Sequence, residues 1–375
     1  MQRSTQRILT THAGALPRPE TSADLTDQVR EIVRKQAQCG IDVVCDGELG
    51  KPNFIQYVST RMKGFTSREL RPDEEHPSWW VVRREEREVG DYFRRRGGVF
   101  VRGSASGSSP VGTRITTCTG PLEYVGLPEL DREIDNLKRA LRDVPRPDAF
   151  LPAPSPGIVA HNLLNEYYAS EEAYLLALAD ALAVEYRAIV QAGFVLQIDS
   201  PNTADDWQRN PDMSVEDYRR HAARGVEILN HALRGIDPEN VRFHMCWASW
   251  HGPHVTDIGL EDIVDILLTV NASAISLEAA NPRHEHDVTL WETTKLPDGK
   301  VLIPGVVGHF SDFVEHPRLI AERLTRYARC VGRENIIAGT DCGMYRVGQP
   351  IVAWKKFEAM SEGAKLASDQ LWAAE

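Results

Sequence analysis

The sequence predicts a (β/α)8 barrel, and two observations favour this fold class. Eight short β-rich runs alternate with longer amphipathic patterns, which is typical of parallel βαβ units. Polar residues that are unusual within strands stand at the ends of most of these runs, and in such a barrel the carboxyl ends of the strands meet at one mouth. Barrels of this type often reach the length of this 375-residue chain. We therefore expect a single domain over residues 1–375.

The eight predicted strands run from "ILTTHA" to "IIAGTDC" and cover residues 8–13, 42–48, 149–154, 194–200, 241–247, 274–279, 301–308 and 336–342. Between most of them, apolar residues recur three and four positions apart, as in "EAYLLALADALAVEYRAIVQAG". This spacing predicts helices that bury one face against the barrel. Several of the patterns end at a glycine, including Gly40, Gly193 and Gly235, as helices often do.

Residues 66–120 interrupt the alternation. They carry dense charge, a turn-rich "RGSASGSSPVG" and the strand-like "TRITTCTG" at 113–120. We predict an insertion after the second strand, built as a hairpin with a helix, that covers the barrel mouth or forms a contact in a homo-oligomer. The segment 350–375 predicts a final helix.

Composition excludes several classes of partner. The net charge of −11 argues against nonspecific binding to nucleic acid, which requires a basic surface. No apolar run is long enough to cross a bilayer, and the N-terminus has no secretory signal pattern, so we expect a cytoplasmic protein with small-molecule partners. The six cysteines are scattered, which favours free, buried or metal-bound thiols over disulfides.

A metal site is predicted at the ends of three strands. His244 and Cys246 end the fifth strand and, being two residues apart, face the same side. Glu278 ends the sixth strand and Cys342 closes the eighth. Taken singly, a strand cysteine is usually a small buried hydrophobe and a histidine is as often simply hydrogen-bonded. Together the four provide the nitrogen, sulfur and oxygen ligands that tetrahedral zinc accepts, and their joint placement favours Zn2+.

Further polar and aromatic side chains stand near the same mouth. His12 and Asp46 end the first two strands, and Trp247, His251 and His254 follow the His-x-Cys pair. Loops at the carboxyl ends of barrel strands commonly contact substrate. We therefore predict substrate contacts for these five residues.

Seven motifs in order extend over nearly the whole chain: "TTHAGALPRP", "DGELGKPNF", "LQIDSPN", "HMCW", "ISLEAAN", "GVVGHFSDFVEHP" and "GTDCGM". They resemble the catalytic C-terminal barrel of the cobalamin-independent methionine synthase family, and more closely its short single-barrel members, which include epoxyalkane:coenzyme M transferase. The resemblance implies a zinc ion on the four predicted ligands. It also implies that Asp199 contacts the amino group of a homocysteine-like acceptor, that Glu48 is the acid of the family's "GE" motif, and that His309 assists proton transfer.

Two positions depart from the methionine synthase pattern. Ala15 replaces the serine that helps to hold homocysteine, so we expect this position to contact substrate differently, and Ser200 replaces the glutamate of the "DEP" motif. The preceding barrel that helps to handle a folate tail has no counterpart in the chain.

These features together favour a zinc-dependent alkyltransferase that activates a small-molecule thiol as a zinc thiolate and alkylates it from a separate alkyl donor. Asp199 and Glu48 favour methyl transfer to a homocysteine-like acceptor. The single-barrel length and Ala15 favour the alternative, in which a thiol such as coenzyme M opens an epoxide. That anionic thiol would need a cation at the mouth, for which Arg18, Lys51 and Arg346 are candidates.

Two other classes remain open from the sequence. A metal-free decarboxylase on the same barrel, of the uroporphyrinogen decarboxylase type, would need none of the four metal ligands. A noncatalytic protein with a structural zinc ion would have a closed site that does not respond to thiols.

Overall fold

The computed structural model describes residues 1–19, 23–71, 74, 82–96, 114–144, 148–248 and 250–373. These residues contain eleven strands: β1 (Leu9–Thr10), β2 (Val43–Val44), β3 (Met62–Glu69), β4 (Arg114–Tyr124), β5 (Asp148–Pro154), β6 (Leu163–Asn165), β7 (Val195–Asp199), β8 (Val241–Met245), β9 (Ala274–Leu277), β10 (Val301–Val307) and β11 (Ile337–Thr340).

Eight of the strands form one parallel sheet in the order β1-β11-β10-β9-β8-β7-β5-β2. The remaining gap is bridged where Asp42 N donates to Thr10 O at 3.1 Å and Thr11 Oγ1 donates to Val43 O at 3.0 Å. The predicted (β/α)8 fold class is therefore confirmed, and all eight predicted strands overlap an observed one.

The first two predicted strands are much longer than the observed ones. β1 and β2 are two residues each, because the chain leaves the ladder soon afterwards to form loops at the mouth. In the second loop, Gly47 and Glu48 adopt left-handed backbone, with φ of 69° and 58°, which a strand cannot contain. The pattern of alternating apolar and polar residues does not indicate where such a turn ends a strand.

Eleven α-helices accompany the strands in the described residues: α1 (Leu25–Gln38), α2 (Tyr57–Arg61), α3 (Arg83–Arg96), α4 (Leu127–Leu141), α5 (Pro156–Asn162), α6 (Glu171–Gln191), α7 (Asn202–Arg209), α8 (Val215–Ala232), α9 (Leu260–Leu267), α10 (Pro317–Val331) and α11 (Pro350–Trp372). Local capping chemistry fixes several starts, since Asp24, Ser170 and Ser214 each accept a hydrogen bond from a backbone N–H three residues later. The final helix was predicted correctly. None of the helices in the described ranges combines the length and apolarity needed to cross a membrane.

The predicted insertion at 66–120 contains α3 and parts of β3 and β4. β3 pairs antiparallel with β4, and β4 pairs parallel with β6, which makes a separate three-stranded sheet. The strand predicted at 113–120 lies within β4, except that residue 113, like 72–73, 75–81 and 97–112, is outside the described residues. α3 packs at the mouth of the barrel, because Glu85 accepts hydrogen bonds from Val255 N and Thr256 N, both at 2.9 Å, in the loop that follows β8.

The interior of the barrel contains a buried cation. Arg242 donates to Gln197 Oε1 at 2.6 Å, to Thr11 Oγ1 at 2.8 Å and to the carbonyl of His12, and its guanidinium lies 3.5 Å from the centre of the Phe150 ring. Burial lowers the pKa of Arg242 to about 9. One side chain thus connects β8 to β7 and to the segment following β1.

Replacing Arg242 should destabilise the barrel. Arg242→Met leaves buried acceptors without donors, so we expect the free energy of unfolding to fall by about 2–4 kcal/mol, measured by urea denaturation. Arg87→Met removes an exposed guanidinium that pairs with Asp212 at 2.6 Å, and it should change stability by less than about 0.5 kcal/mol. Equal effects of the two variants would contradict a stabilising role for the Arg242 bonds.

Candidate metal centre and substrate pocket

Three of the four predicted metal ligands come together at the mouth. His244 ends β8, Cys246 follows it, and Cys342 follows β11. One ligand atom from each lies within 4.8 Å of the others, and in the described part of the chain this is the only such group of three or more residues. The spacing of two along β8 brings ligand atoms of His244 and Cys246 close together on one side of the strand, as the sequence predicted.

The chemistry of these three side chains fits a soft divalent metal. His244 Nδ1 lies 3.0 Å from Ser276 Oγ, which orients the ring, while the buried Nε2 has no hydrogen-bond partner in the structure as described. Hydrogen bonding from Cys246, aided by His244, holds the pKa of the Cys342 thiol well below its usual range although burial opposes it. An unpaired buried imidazole nitrogen beside two thiol groups, one with thiolate character, is a ligand set that zinc accepts.

Glu278 is the predicted ligand that does not join this group. It is buried nearby, where its Oε1 accepts from Trp247 N at 3.2 Å and its Oε2 accepts from Asn281 Nδ2 at 2.8 Å. Burial, and then the neighbouring charges of Asp341 and Cys342, raise the pKa of Glu278 well above its ordinary value. Both carboxylate oxygens are therefore used by neighbours on the loops around the site.

Two of the predicted site residues, Asp199 and Glu48, are buried carboxyl groups that line the same pocket as the ligands. Asp199 ends β7 and accepts from Gln197 Nε2 at 2.7 Å. Burial, and then the charges of Glu48 and Cys342, raise the pKa of Asp199 well above its usual range. Burial also raises the pKa of Glu48 to about 7. Two neighbouring acids that resist ionisation provide a site that a cationic group would stabilise.

His309 is buried beside this pocket, and neither of its ring nitrogens has a partner among the described residues. Burial lowers its pKa to about 3, and its ring centre lies 3.8 Å from that of Phe310. The charges of Cys342 and His244 act on it, which indicates that it lies near the ligand group. A neutral imidazole with unused nitrogens can exchange a proton with a bound molecule.

His12 and Asp46 are not among the residues that line the pocket. His12 Nε2 lies 2.8 Å from Gln36 Oε1, and its Nδ1 accepts from Gly14 N at 3.2 Å, so both ring nitrogens are used internally. Asp46 Oδ1 accepts from Glu48 N at 2.9 Å and supports the Glu48 turn. Both residues thus have internal hydrogen-bond partners, and their contact with substrate stays a prediction.

The three residues predicted from the loop after β8 shape that loop. The Trp247 ring stacks on His284 at 3.7 Å, and its Nε1 donates to Ile258 O at 2.9 Å. Both nitrogens of His254 are engaged at 2.8 Å, with Asp257 Oδ2 and with the carbonyl of Trp250. His251 is exposed, with its ring 5.3 Å from Phe310. None of the three predicted residues lines the pocket.

Ala15 does line the pocket, together with side chains that sequence reasoning did not select: Ala13, Phe54, Ile158, Pro201, Asp205, Ala248, Gly343 and Tyr345. Asp205 is the most unusual of them, because it is buried and both carboxylate oxygens lack a partner in the described structure. Burial raises its pKa well above the usual range. It lies one helical turn inside α7, where no periodicity or motif marks it in the sequence. Arg346, a predicted candidate cation, also lines the pocket.

Comparison with known proteins agrees with this geometry. Residues 164–366 match the family model described as "Cobalamin-independent synthase, Catalytic domain". The chain is 22% identical to a methionine synthase of Thermococcus kodakarensis, covering 96% of this chain and 87% of that protein. It is also 22% identical to a methionine synthase of Saccharolobus solfataricus, covering 96% and 89%.

A solved structure shares the fold. The B12-independent methionine synthase of Shewanella sp. W3-18-1, in complex with selenomethionine, superposes with a TM-score of 0.69 at 20% identity, covering 98% of this chain and 99% of that one. Because the family model matches more than half of the 375 residues, the chain belongs to the cobalamin-independent synthase catalytic domain family.

Proposed function

We propose that the protein is a zinc-dependent methyltransferase that transfers a methyl group to the sulfur of a homocysteine-like acceptor. The observation that carries this proposal is the group formed by His244, Cys246 and Cys342 in a pocket that also contains Glu48 and Asp199. The family and the names of the relatives support methyl transfer to such a thiol. We also propose that residues 1–375 act as one catalytic domain.

His244, Cys246 and Cys342 would hold the zinc ion, and Glu278 is the nearby candidate for a further ligand. A bound zinc ion supplies a Lewis acid that keeps a substrate thiol deprotonated and nucleophilic at neutral pH. Ser276 orients His244 for this role through the 3.0 Å contact at Nδ1.

Glu48 and Asp199 would bind the amino group of the acceptor. Burial raises the pKa of each carboxyl group, and the charge of Glu48 raises the pKa of Asp199 further, because two like charges in one pocket repel. A substrate ammonium would offset that repulsion and take up carboxylate oxygens that the protein leaves facing the pocket. The acceptor would thereby be oriented with its sulfur toward the three ligands.

His309 would manage the proton. Burial lowers the pKa of His309 to about 3, so its ring stays neutral. Neither ring nitrogen has a partner among the described residues, so the neutral ring could take up the proton of the incoming thiol at one nitrogen while the other nitrogen releases its own proton to the atom that loses the methyl group. Its burial excludes bulk water from this exchange.

Opening of an epoxide by a thiol is the second candidate function. It is favoured by Arg346, which lines the pocket and provides a cation for an anionic thiol, and by Ala15 in the position where a serine would help to hold homocysteine. A metal-free decarboxylase would leave the two thiols and the unpaired His244 nitrogen without a role. Homocysteine with methyltetrahydrofolate, tested against coenzyme M with epoxypropane, separates the two transferases.

Loss of a ligand thiol should remove the metal. We expect Cys246→Ser and Cys342→Ser to reduce zinc from about one ion per purified chain to a small fraction of that, since serine is a poor zinc ligand. The measurement is elemental analysis by mass spectrometry. Cys330→Ser is the matched control, because Cys330 lies outside the pocket and its thiol faces Val288 O at 3.9 Å. Full zinc retention in the two ligand variants would contradict the proposed site.

Removal of the charge of Glu48 or of Asp199 should weaken binding of the acceptor. Glu48→Gln and Asp199→Asn each lose a charge-assisted hydrogen bond, so we expect KM for homocysteine to rise about 10–100-fold. Desamino-homocysteine, which lacks the ammonium, should respond little. The control is Glu227→Gln, an exposed carboxylate paired with Arg224 on α8. A similar rise in KM for homocysteine and for desamino-homocysteine would show that the carboxylates do not recognise the amine.

Replacement of the proposed proton carrier should slow the chemical step. His309→Asn keeps a polar side chain of similar size but cannot carry the proton, so we expect kcat to fall about 10²–10⁴-fold while the Kd for homocysteine changes little. Single-turnover kinetics and calorimetry measure the two quantities. His231→Asn, a partly exposed histidine beside Asp180, should leave both unchanged.

A further inference from the structure

The turn that carries Glu48 lies in an unfavourable backbone conformation. Gly47 and Glu48 have φ of 69° and 58°, and for Glu48 this left-handed region is rare because its Cβ approaches the backbone. Such a conformation persists only where the surrounding structure stabilises it. The contacts around residues 46–51 therefore decide where the Glu48 carboxylate lies.

Bonds within and across the turn provide part of that stabilisation. Asp46 Oδ1 accepts from Glu48 N at 2.9 Å, and Lys51 N donates to Glu48 O at 3.1 Å. Leu16 N, in the loop after β1, donates to Gly47 O at 3.2 Å. The loops that follow β1 and β2 are thus bonded directly to each other.

The side chain of Arg18 connects the same two loops by two further hydrogen bonds. Its Nη1 donates to Leu49 O and its Nη2 donates to Lys51 O, both at 2.9 Å, so one guanidinium joins two carbonyls of the turn. The side chain is exposed, yet its two terminal nitrogens are directed at backbone. The predicted alternative, a cation for an anionic thiol, is therefore better served by Arg346 in the pocket lining.

The space around the Glu48 carboxylate leaves it little freedom. The Glu48 carboxylate lies close to the loop that contains Arg18, since a Cβ at Gly14 would lie 2.7 Å from Glu48 Oε1, and the φ of 123° at Gly14 favours glycine there. The same loop contacts the one that follows Cys342, where Tyr345 N donates to Ala15 O at 3.3 Å. A shift of the residue 13–18 segment would therefore move Glu48 relative to the ligand group.

We propose that Arg18 is a positioning residue that fixes the Glu48 carboxylate in the pocket by joining the Leu49 and Lys51 carbonyls to the loop after β1. The inference rests on the proposed function only where Glu48 is said to bind the amine of the acceptor. Arginine is required because its planar fork can reach two acceptors at once, whereas the ammonium of lysine is a single compact donor group. Arg18→Lys keeps the charge and removes the bridge.

The binding test compares two thiols on zinc-loaded protein. Calorimetry should show that Arg18→Lys raises the Kd for homocysteine about 5–10-fold. The Kd for desamino-homocysteine should rise by less than about 2-fold, because only homocysteine has the amine that Glu48 binds. In a protein that already carries Glu48→Gln, Arg18→Lys should cause almost no further rise in the Kd for homocysteine, since both substitutions act on the same interaction. Equal weakening of both thiols, or full additivity, would overturn the positioning role.

A second measurement does not depend on the substrate. In Arg18→Lys the backbone amides of Glu48 and Lys51 should exchange with solvent about tenfold faster, because the turn opens more often. Arg333→Lys is the matched control: that guanidinium donates to the carbonyl of Leu371, away from the pocket, and should leave these amides unchanged. Unchanged exchange in Arg18→Lys would overturn the proposal whatever the protein binds. Wild-type protein that does not prefer homocysteine would instead count against the function proposed for Glu48.

Discussion

The register of three neighbouring parallel strands is the constraint on which the site depends. Pairing of β7 with β8 sets Asp199 opposite His244, and pairing of β8 with β9 sets His244 opposite Ser276. The Asp199 carboxyl group, the His244 imidazole proposed as a metal ligand and the Ser276 hydroxyl beside it therefore lie side by side at one end of the barrel. Because side chains alternate along a strand, a slip of one residue would turn His244 and Cys246 away from the pocket together.

This arrangement brings several buried acidic groups close together, which is electrostatically unfavourable when they are ionised. Glu48, Asp199 and Glu278 are buried near the Cys342 thiol, and burial raises the pKa of each carboxyl group, with the charge of Cys342 raising it further. Isolated buried anions are unfavourable. Among the described residues that line the pocket, the cation is Arg346, and the charge of buried Lys51 also lowers the pKa of Glu48 and Asp199 in part. A divalent metal and an ammonium-bearing ligand would each compensate part of that charge, so the pocket suits the two ligands that the proposed reaction requires.

The sequence was sufficient wherever function follows from strand periodicity. His244 and Cys246 could be placed from their spacing, and Cys342 from its position at a strand end, because converging strand ends are a property of the whole fold. It was insufficient where a side chain's partner comes from a distant segment. His12, a predicted substrate contact, is bonded to Gln36, 24 residues away along the chain, and no pattern in the sequence marks this pair. Asp205 was missed for the complementary reason, since an unpaired buried carboxylate is recognisable only when its surroundings are known.

The long reach of Arg242 bears on how the chain acquires its shape as it leaves the ribosome. Thr11, one of its acceptors, is 231 residues earlier in the chain, and β1 pairs with β11 near the other terminus. The edge of β1 that pairs with β11 thus has no partner during synthesis until β11 has emerged. Ring closure is a late event of biosynthesis, during which that edge must be protected from pairing with another nascent chain.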